Sequence, residues 1–288
     1  MTSSWTHGPF EIHLLSDGIF RLDGGAMFGV VPKILWERFY PCDEKNRIQL
    51  GTNSLLIRSD SQTVLVEAGI GEKWNQKWLD MHAVERENGL FDKLEHLGVA
   101  PQEIDTVILT HLHYDHSGSL TREREGEIVP AFENARHIVQ KTELDMALSP
   151  PARVAPSYLP ENLQPVQDAH LFDPVDGPSE ILPGLEVVPT PGHTPGHQSL
   201  LLRDGDRTLA FWGDLFPTPQ HVHPPYVMAF DLDPARTLEE KKKWLARATD
   251  EQWDWIWTHA PTPFIGRVAL DGRKPVIESR SGSITPDS

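Results

Sequence analysis

From position 111 to 118 the sequence reads His-Leu-His-Tyr-Asp-His-Ser-Gly, placing four metal-ligating side chains within six residues. Neutral imidazoles and a carboxylate suit zinc and other borderline first-row cations. The run directly follows residues 106–110 (TVILT), a short apolar stretch that reads as a buried strand. Extended backbone beyond that strand can point His111 and His113 the same way, because strand side chains alternate with a period of two. The turn closed by Gly118 can then swing Asp115 and His116 toward a second centre. Three more ligand types end other strand-like runs: His193 in the tight turn TPGHTPGH, Asp214 after AFWG, and His259 after WIWT. Open α/β folds gather their sites at such strand ends.

The elements needed to hold these residues are legible in outline. Residues 10–22 (FEIHLLSDGIFRL) read as two short strands around Ser16-Asp17-Gly18, a hairpin signal. Residues 23–50 form a long irregular segment with a greasy side made by Met27, Phe28, Trp36, Phe39 and Tyr40. Further strands are expected at 54–57, 63–67, 135–139, 185–190, 198–202, 207–212 and 254–258, and helices near 72–82, 91–98, 141–148 and 238–248. The last helix carries start signals in Asp233-Pro234 and in Thr237 with Glu240 at capping-box spacing. Residues 149–179 are Pro-rich and aperiodic, a surface excursion. Strands and helices alternate throughout, with no internal repeat. That pattern predicts one α/β domain over 1–288, with its core at about 10–270 and a frayed polar tail over 279–288.

Composition removes several classes of function. The 288 residues include 42 acidic and 26 basic side chains, a formal charge of -16, which argues against nucleic acid and anionic membrane surfaces. No apolar run approaches the ~20 residues of a membrane-spanning helix, and MTSSWTHGPF lacks the pattern of a secretory signal. A single cysteine, Cys42, excludes a disulfide framework and a Cys-rich zinc module, and fits a reducing cytoplasm.

Taken together, these residues resemble the metallo-β-lactamase superfamily. HLHYDH matches its HxHxDH signature, and His193, Asp214 and His259 follow in the family's order. The resemblance spans about 10–270 and implies a four-layer αββα sandwich. It also implies two divalent metal ions per chain, zinc foremost, with Mn2+, Co2+ or Fe2+ as alternatives. His111, His113 and His193 would hold one ion, Asp115, His116 and His259 the other, and Asp214 would bridge them. True β-lactamases lack the bridging Asp, and many place Arg or Cys among the ligands. Here His116 follows Asp115 and Cys42 lies outside the motifs, so β-lactam hydrolysis is not expected.

Within the superfamily, DGGAMFGVVPKILW, YPCDEKNRIQLGTNSLLI and AFDLDPARTLEEKKKWL resemble the YtnP-type branch of the quorum-quenching N-acyl-homoserine lactone lactonases. The implied reaction is lactone opening by hydroxide generated at the dinuclear centre, with Asp115 and Asp214 as the catalytic carboxylates. No Ser or Cys stands in a nucleophile motif. Some lactonases place a Tyr soon after the bridging Asp, whereas Leu215-Phe216-Pro217 stands here. The expected partner is a small neutral amphiphilic lactone, with Met27, Phe28, Phe216, His221 and Tyr226 as candidate contacts. The aromatic residues of 27–40 equally suit a homodimer contact. His197 is read as bonding within its turn, and His7, His13, His82, His96, His137 and His170 as surface or packing residues. Two alternatives keep the same fold: a thioesterase like glyoxalase II, which shares the PGHTPGH turn, and an organophosphate triesterase.

Overall fold

The computed structural model describes residues 3–272, 274–279 and 285–286. Two sheets face each other. One holds, in spatial order, Thr285–Pro286, Ser3–His7, Phe10–Asp23, Arg47–Arg58, Thr63–Val66, Thr106–Ile108, Arg136–Gln140 and Phe172–Val175. The other holds Ser179–Leu182, Leu185–Pro189, Gln198–Asp204, Arg207–Phe211, Asp254–Ile256, Ile265–Asp271 and Lys274–Ser279.

Alternation explains the layering. Leu55, Ile57, Val64 and Val66 point inward and meet Val187, Leu200, Leu202, Leu209 and Phe211 of the facing sheet. Their neighbours Leu56 and Leu65 point outward and pack with Leu90, Leu94, Leu144 and Leu163 from the covering helices. On the far side Leu201, Ala210 and Trp255 meet Trp244, Leu245 and Ala248 of the helix Pro234–Asp250. The central strands of each sheet are therefore covered on both faces, the αββα order that the resemblance implies. Each fully buried large side chain contributes roughly 1.5–3 kcal/mol.

Four features differ from the sequence reading. Residues 10–23 form one continuous strand rather than a hairpin, because both arms pair with the same partner: Ser16 lies opposite Asn53 and Ile19 opposite Gly51. Asp17-Gly18 is a bulge, with Gly18 at φ +130°. The buried Asp17 carboxylate accepts from the N–H groups of Ile70, Gly71 and Leu90 and pairs with Arg86. Secondly, the irregular segment contains two short helices, Gly24–Phe28 and Lys33–Trp36, and ends where a strand begins at Arg47. Thirdly, the excursion at 149–179 contains the helix Pro160–Asp168 and a strand at Phe172–Val175, and it buries Val154, Tyr158, Leu163 and Val166. Lastly, Asp233, not Thr237, caps the long helix by accepting from Arg236 N.

The tail expectation falls largely outside the described residues. Among those described, no helix is long and apolar enough to cross a membrane.

His137 lies in the strand Arg136–Gln140 without solvent access, its Nδ1 3.0 Å from Ala135 O. Burial pushes its pKa down to about 4 from 6.5. The ring is thus neutral in the fold, whereas the unfolded chain takes up a proton as pH drops below 6.5. The stability this ring supplies is complete above 6.5 and is lost as pH falls toward 4. Between pH 7 and 5 the loss should be about 2 kcal/mol. Urea titrations at the two pH values should show it, and His137→Leu should remove that part of the slope.

Candidate metal centre

Strand ends from both sheets deliver the seven residues to one point. Thr106–Ile108 leads into His111 and His113, and the short helix Tyr114–Ser117 carries Asp115 and His116. Ser117 Oγ donates to Leu112 O and His113 O, fixing that helix to the segment before it. Leu185–Pro189 leads into the His193 turn, Arg207–Phe211 into Asp214, and Asp254–Ile256 into His259. Gly213, at φ +56°, lets the chain turn so that Asp214 aims inward. A Cβ there would stand 2.7 Å from Thr110 Oγ1 and 2.8 Å from His197 Nε2.

The donors form three overlapping groups: His111, His113 and His193; His111, His116 and Asp214; and Asp115, His116 and His259. In the first, His113 Nδ1 lies 3.0 Å from His111 Nε2 and 3.1 Å from His193 Nε2. Asp214 joins the groups by its two oxygens. Oδ2 is 3.2 Å from His193 Nε2, while Oδ1 is 3.1 Å from His259 Nε2 and 3.5 Å from His116 Nε2. Asp115 Oδ2 completes that side, 3.6 Å from His259 Nε2.

These spacings fit a cation. A tetrahedron with zinc–nitrogen bonds near 2.0–2.1 Å has edges of about 3.3 Å. His116 Nε2 is buried without a hydrogen-bond partner, a cost that coordination would remove.

A second ring of contacts turns the imidazoles. His116 Nδ1 donates to Glu67 Oε2 at 3.2 Å, His193 Nδ1 to Asp231 Oδ1 at 2.8 Å, and His259 Nδ1 to Gly51 O at 2.8 Å. With Nδ1 so anchored, the three Nε2 atoms face the cluster, the orientation that ligation needs. Glu67 Oε1 also accepts from Thr110 N, and His111 Nδ1 bonds Thr110 Oγ1. His197 stays in its turn, with Nδ1 on Thr190, but its Nε2 also accepts the Asp214 N–H at 3.0 Å. Burial and the neighbouring His193 push His197 down to about 3, so the acceptor is neutral.

The electrostatics suit ligation. Burial and the adjacent imidazoles hold His111 and His113 far below the usual histidine range, leaving free lone pairs. Burial would raise Asp214, but His259, His116 and His193 outweigh it and keep the carboxyl ionised. Burial opposes charge on His116 too, yet Asp115, Glu67 and Asp214 raise it to about 10. Metal binding must therefore displace that proton.

A cavity of about 140 Å³ opens onto His113, Asp115, His193, Asp214 and His259. Leu22, Met27, Met228, Ala229 and Phe230 line one part of it, with Tyr114, Arg153, Val154 and Ser157 completing the lining. Of the five candidate substrate contacts, only Met27 is among these residues. Phe28 is buried between Trp36 and His221, stacked at 5.5 and 4.8 Å. Phe216 packs on Trp212 and Trp255. His221 is spent on Met27 O and Thr218 Oγ1, and Tyr226 stands edge-on to Phe28. Phe28, His221 and Tyr226 back the wall at Met27, whereas Phe216 belongs to the tryptophan cluster of the other core. A larger open groove of about 830 Å³, lined in part by Phe39, Tyr40, Cys42 and Phe264, includes none of the seven metal-ligand candidates.

A profile of the metallo-beta-lactamase superfamily matches residues 47–259. An N-acyl homoserine lactonase of Bacillus thuringiensis is 30% identical over 158 residues, 51% of this chain and 56% of that protein. The chain thus spans little more than half the length of that curated relative. A lactonase of Rhizobium radiobacter is 32% identical over 130 residues, 42% of this chain and 44% of its own. Among solved structures, a probable metal-dependent hydrolase from Staphylococcus aureus superposes with TM-score 0.88 at 30% identity, covering 96% of this chain and 99% of the other. The dizinc quorum-quenching lactonase AidC gives TM-score 0.78 at 20% identity over 100% of this chain and 97% of its own, a likeness of fold.

Glu67 holds a strained backbone, φ +63°, where it bonds both His116 and Thr110 N. Glu67→Gln should weaken zinc affinity by about 10–100-fold in chelator competition, with the far-ultraviolet circular dichroism unchanged.

Proposed function

The chain belongs to the metallo-beta-lactamase superfamily, and we propose that within it this protein opens the lactone ring of N-acyl-homoserine lactones. Two divalent ions, zinc first among them, would be held by His111, His113 and His193 and by Asp115, His116 and His259, with Asp214 between. When bound, such cations supply Lewis acidity and make coordinated water acidic enough to ionise near neutrality. The observation that carries the reading is Asp214, whose two oxygens face two separate groups of donors.

The remaining tasks fall to side chains. Asp115, on the cavity lining, is the carboxylate placed to pass a proton to the departing ring oxygen. Leu22, Met27, Met228 and Phe230 keep bulk water from the reacting ester and receive the acyl chain. No nucleophilic Ser or Cys lines the cavity close to a base: Ser157 is its only hydroxyl besides Tyr114, and Cys42 lies in the other groove. The lactonase similarity of the Bacillus and Rhizobium relatives favours lactones over thioesters and phosphotriesters.

The accompanying reading is a single-domain cytoplasmic homodimer. Cys42, the only cysteine, suits a reducing compartment, and exposed Val30, Ile34, Leu35 and Phe39 suit contact with a second copy.

Purified protein should carry about two equivalents of divalent metal per chain; one equivalent after reconstitution would refute the dinuclear reading. Asp214→Asn should reduce turnover to background while the protein remains folded. In a pH-indicator assay, N-acyl-homoserine lactone should be hydrolysed faster than S-lactoylglutathione or paraoxon. Faster thioester or phosphotriester turnover would replace the lactone reading with the corresponding alternative.

A further inference from the structure

Arg153 is the one lysine or arginine side chain lining the metal cavity. Elsewhere the arginines are largely spent: Arg47 on Asp43, Arg86 on Asp17, Arg203 on Glu186 and Arg267 on Asp254. Among the described residues, the guanidinium of Arg153 makes no ion pair or hydrogen bond, although the chain carries 42 carboxylate side chains. Its backbone is nevertheless fixed. Val154 and Ala155 N–H groups bond Pro151 O, Val154 is buried in the core, and Tyr158 is pinned through its hydroxyl to Glu143. A fixed turn thus places a solvent-exposed five-donor side chain, unpaired within the protein, on the cavity lining. Ser157 stands in the same lining, and the apolar side is made by Leu22, Met27, Met228, Ala229 and Phe230.

On the lactonase reading, we infer that Arg153 is a specificity-determining residue that donates to the amide carbonyl of the substrate's acyl chain. The lining offers three kinds of chemistry: the metal-ligand residues where the ester would react, the guanidinium for a carbonyl oxygen, and apolar side chains for hydrocarbon. A guanidinium can only donate, so its ligand must offer an acceptor oxygen. On the lactonase reading that acceptor is the amide carbonyl oxygen, which a bare lactone ring lacks. Substrates with an amide next to the lactone would be preferred over the bare ring.

The test uses metal-loaded protein and the variants Arg153→Met and Arg153→Lys. Calorimetry with N-butanoyl-homoserine, the ring-opened product, and with 4-hydroxybutyrate, which lacks the amide, reads binding without turnover. Arg153→Met should weaken the first about tenfold and leave the second unchanged, with Arg153→Lys intermediate. In kinetics, KM for N-butanoyl-homoserine lactone should rise about tenfold while kcat and the KM for γ-butyrolactone hold. Equal weakening of both ligands, weakening of neither, or no binding of the amide ligand by the unmodified protein overturns the proposal. So would a stronger Arg153 dependence for a lactone bearing a carboxylate. Because binding is read on the product, rapid thioester or phosphotriester turnover would defeat the lactonase reading separately.

Discussion

Much of this structure answers one demand: Asp214 must remain an ionised carboxylate 6% exposed to solvent, with its two oxygens aimed at different sets of imidazoles. A buried charge without partners would simply protonate. Here the partners come from chain segments that are remote in sequence, so the fold must bring strand ends of both sheets to one place. The tight Gly213 turn, the inward-facing His193 loop and the short helix at Tyr114–Ser117 are local solutions to that demand. So is the acceptance of the Asp214 N–H by a neutral His197.

Orientation is fixed one shell further out. Three of the imidazoles are oriented through their second nitrogen, and each outer acceptor differs in kind: a glutamate, an aspartate and a backbone carbonyl. Glu67 carries the largest share, linking His116 and Thr110 from a backbone conformation that side chains other than glycine seldom adopt. The strain is local, and the sheet pairing of Thr63–Val66 beside it over-determines the chain's path.

The metal-ligand candidates were legible because ligand chemistry and strand-end position are both local properties of the sequence. HLHYDH announces itself within six residues. Its supports do not. Glu67 stands in an ordinary VEAG context 49 residues from His116, and Asp231 lies 38 residues from His193 in a stretch with several acids. Alternating strands and helices pointed only to an α/β domain, and the four-layer order came from the family resemblance carried by the ligand motif. The hairpin at Ser16-Asp17-Gly18 did not survive, since turn composition is shared by bulges and only pairing with a common neighbour tells them apart. For the same reason Phe28 and Phe216 resemble groove residues in sequence, although packing turns them inward.

The apolar side of the cavity is assembled from two pieces nearly two hundred residues apart. Ala229 N bonds Ala26 O, His221 reaches Met27 O 194 positions away, and Lys241 clasps His223 O and Tyr226 O from the long helix. These bonds run to backbone carbonyls, so the clasp is indifferent to which side chains face the ligand. Exposed Phe230 is therefore free to change without loosening the frame, whereas Met27 and Met228 are also packed into the core behind it. A chimaera that parts the two pieces would join walls shaped by different histories, and its recognition would belong to neither parent.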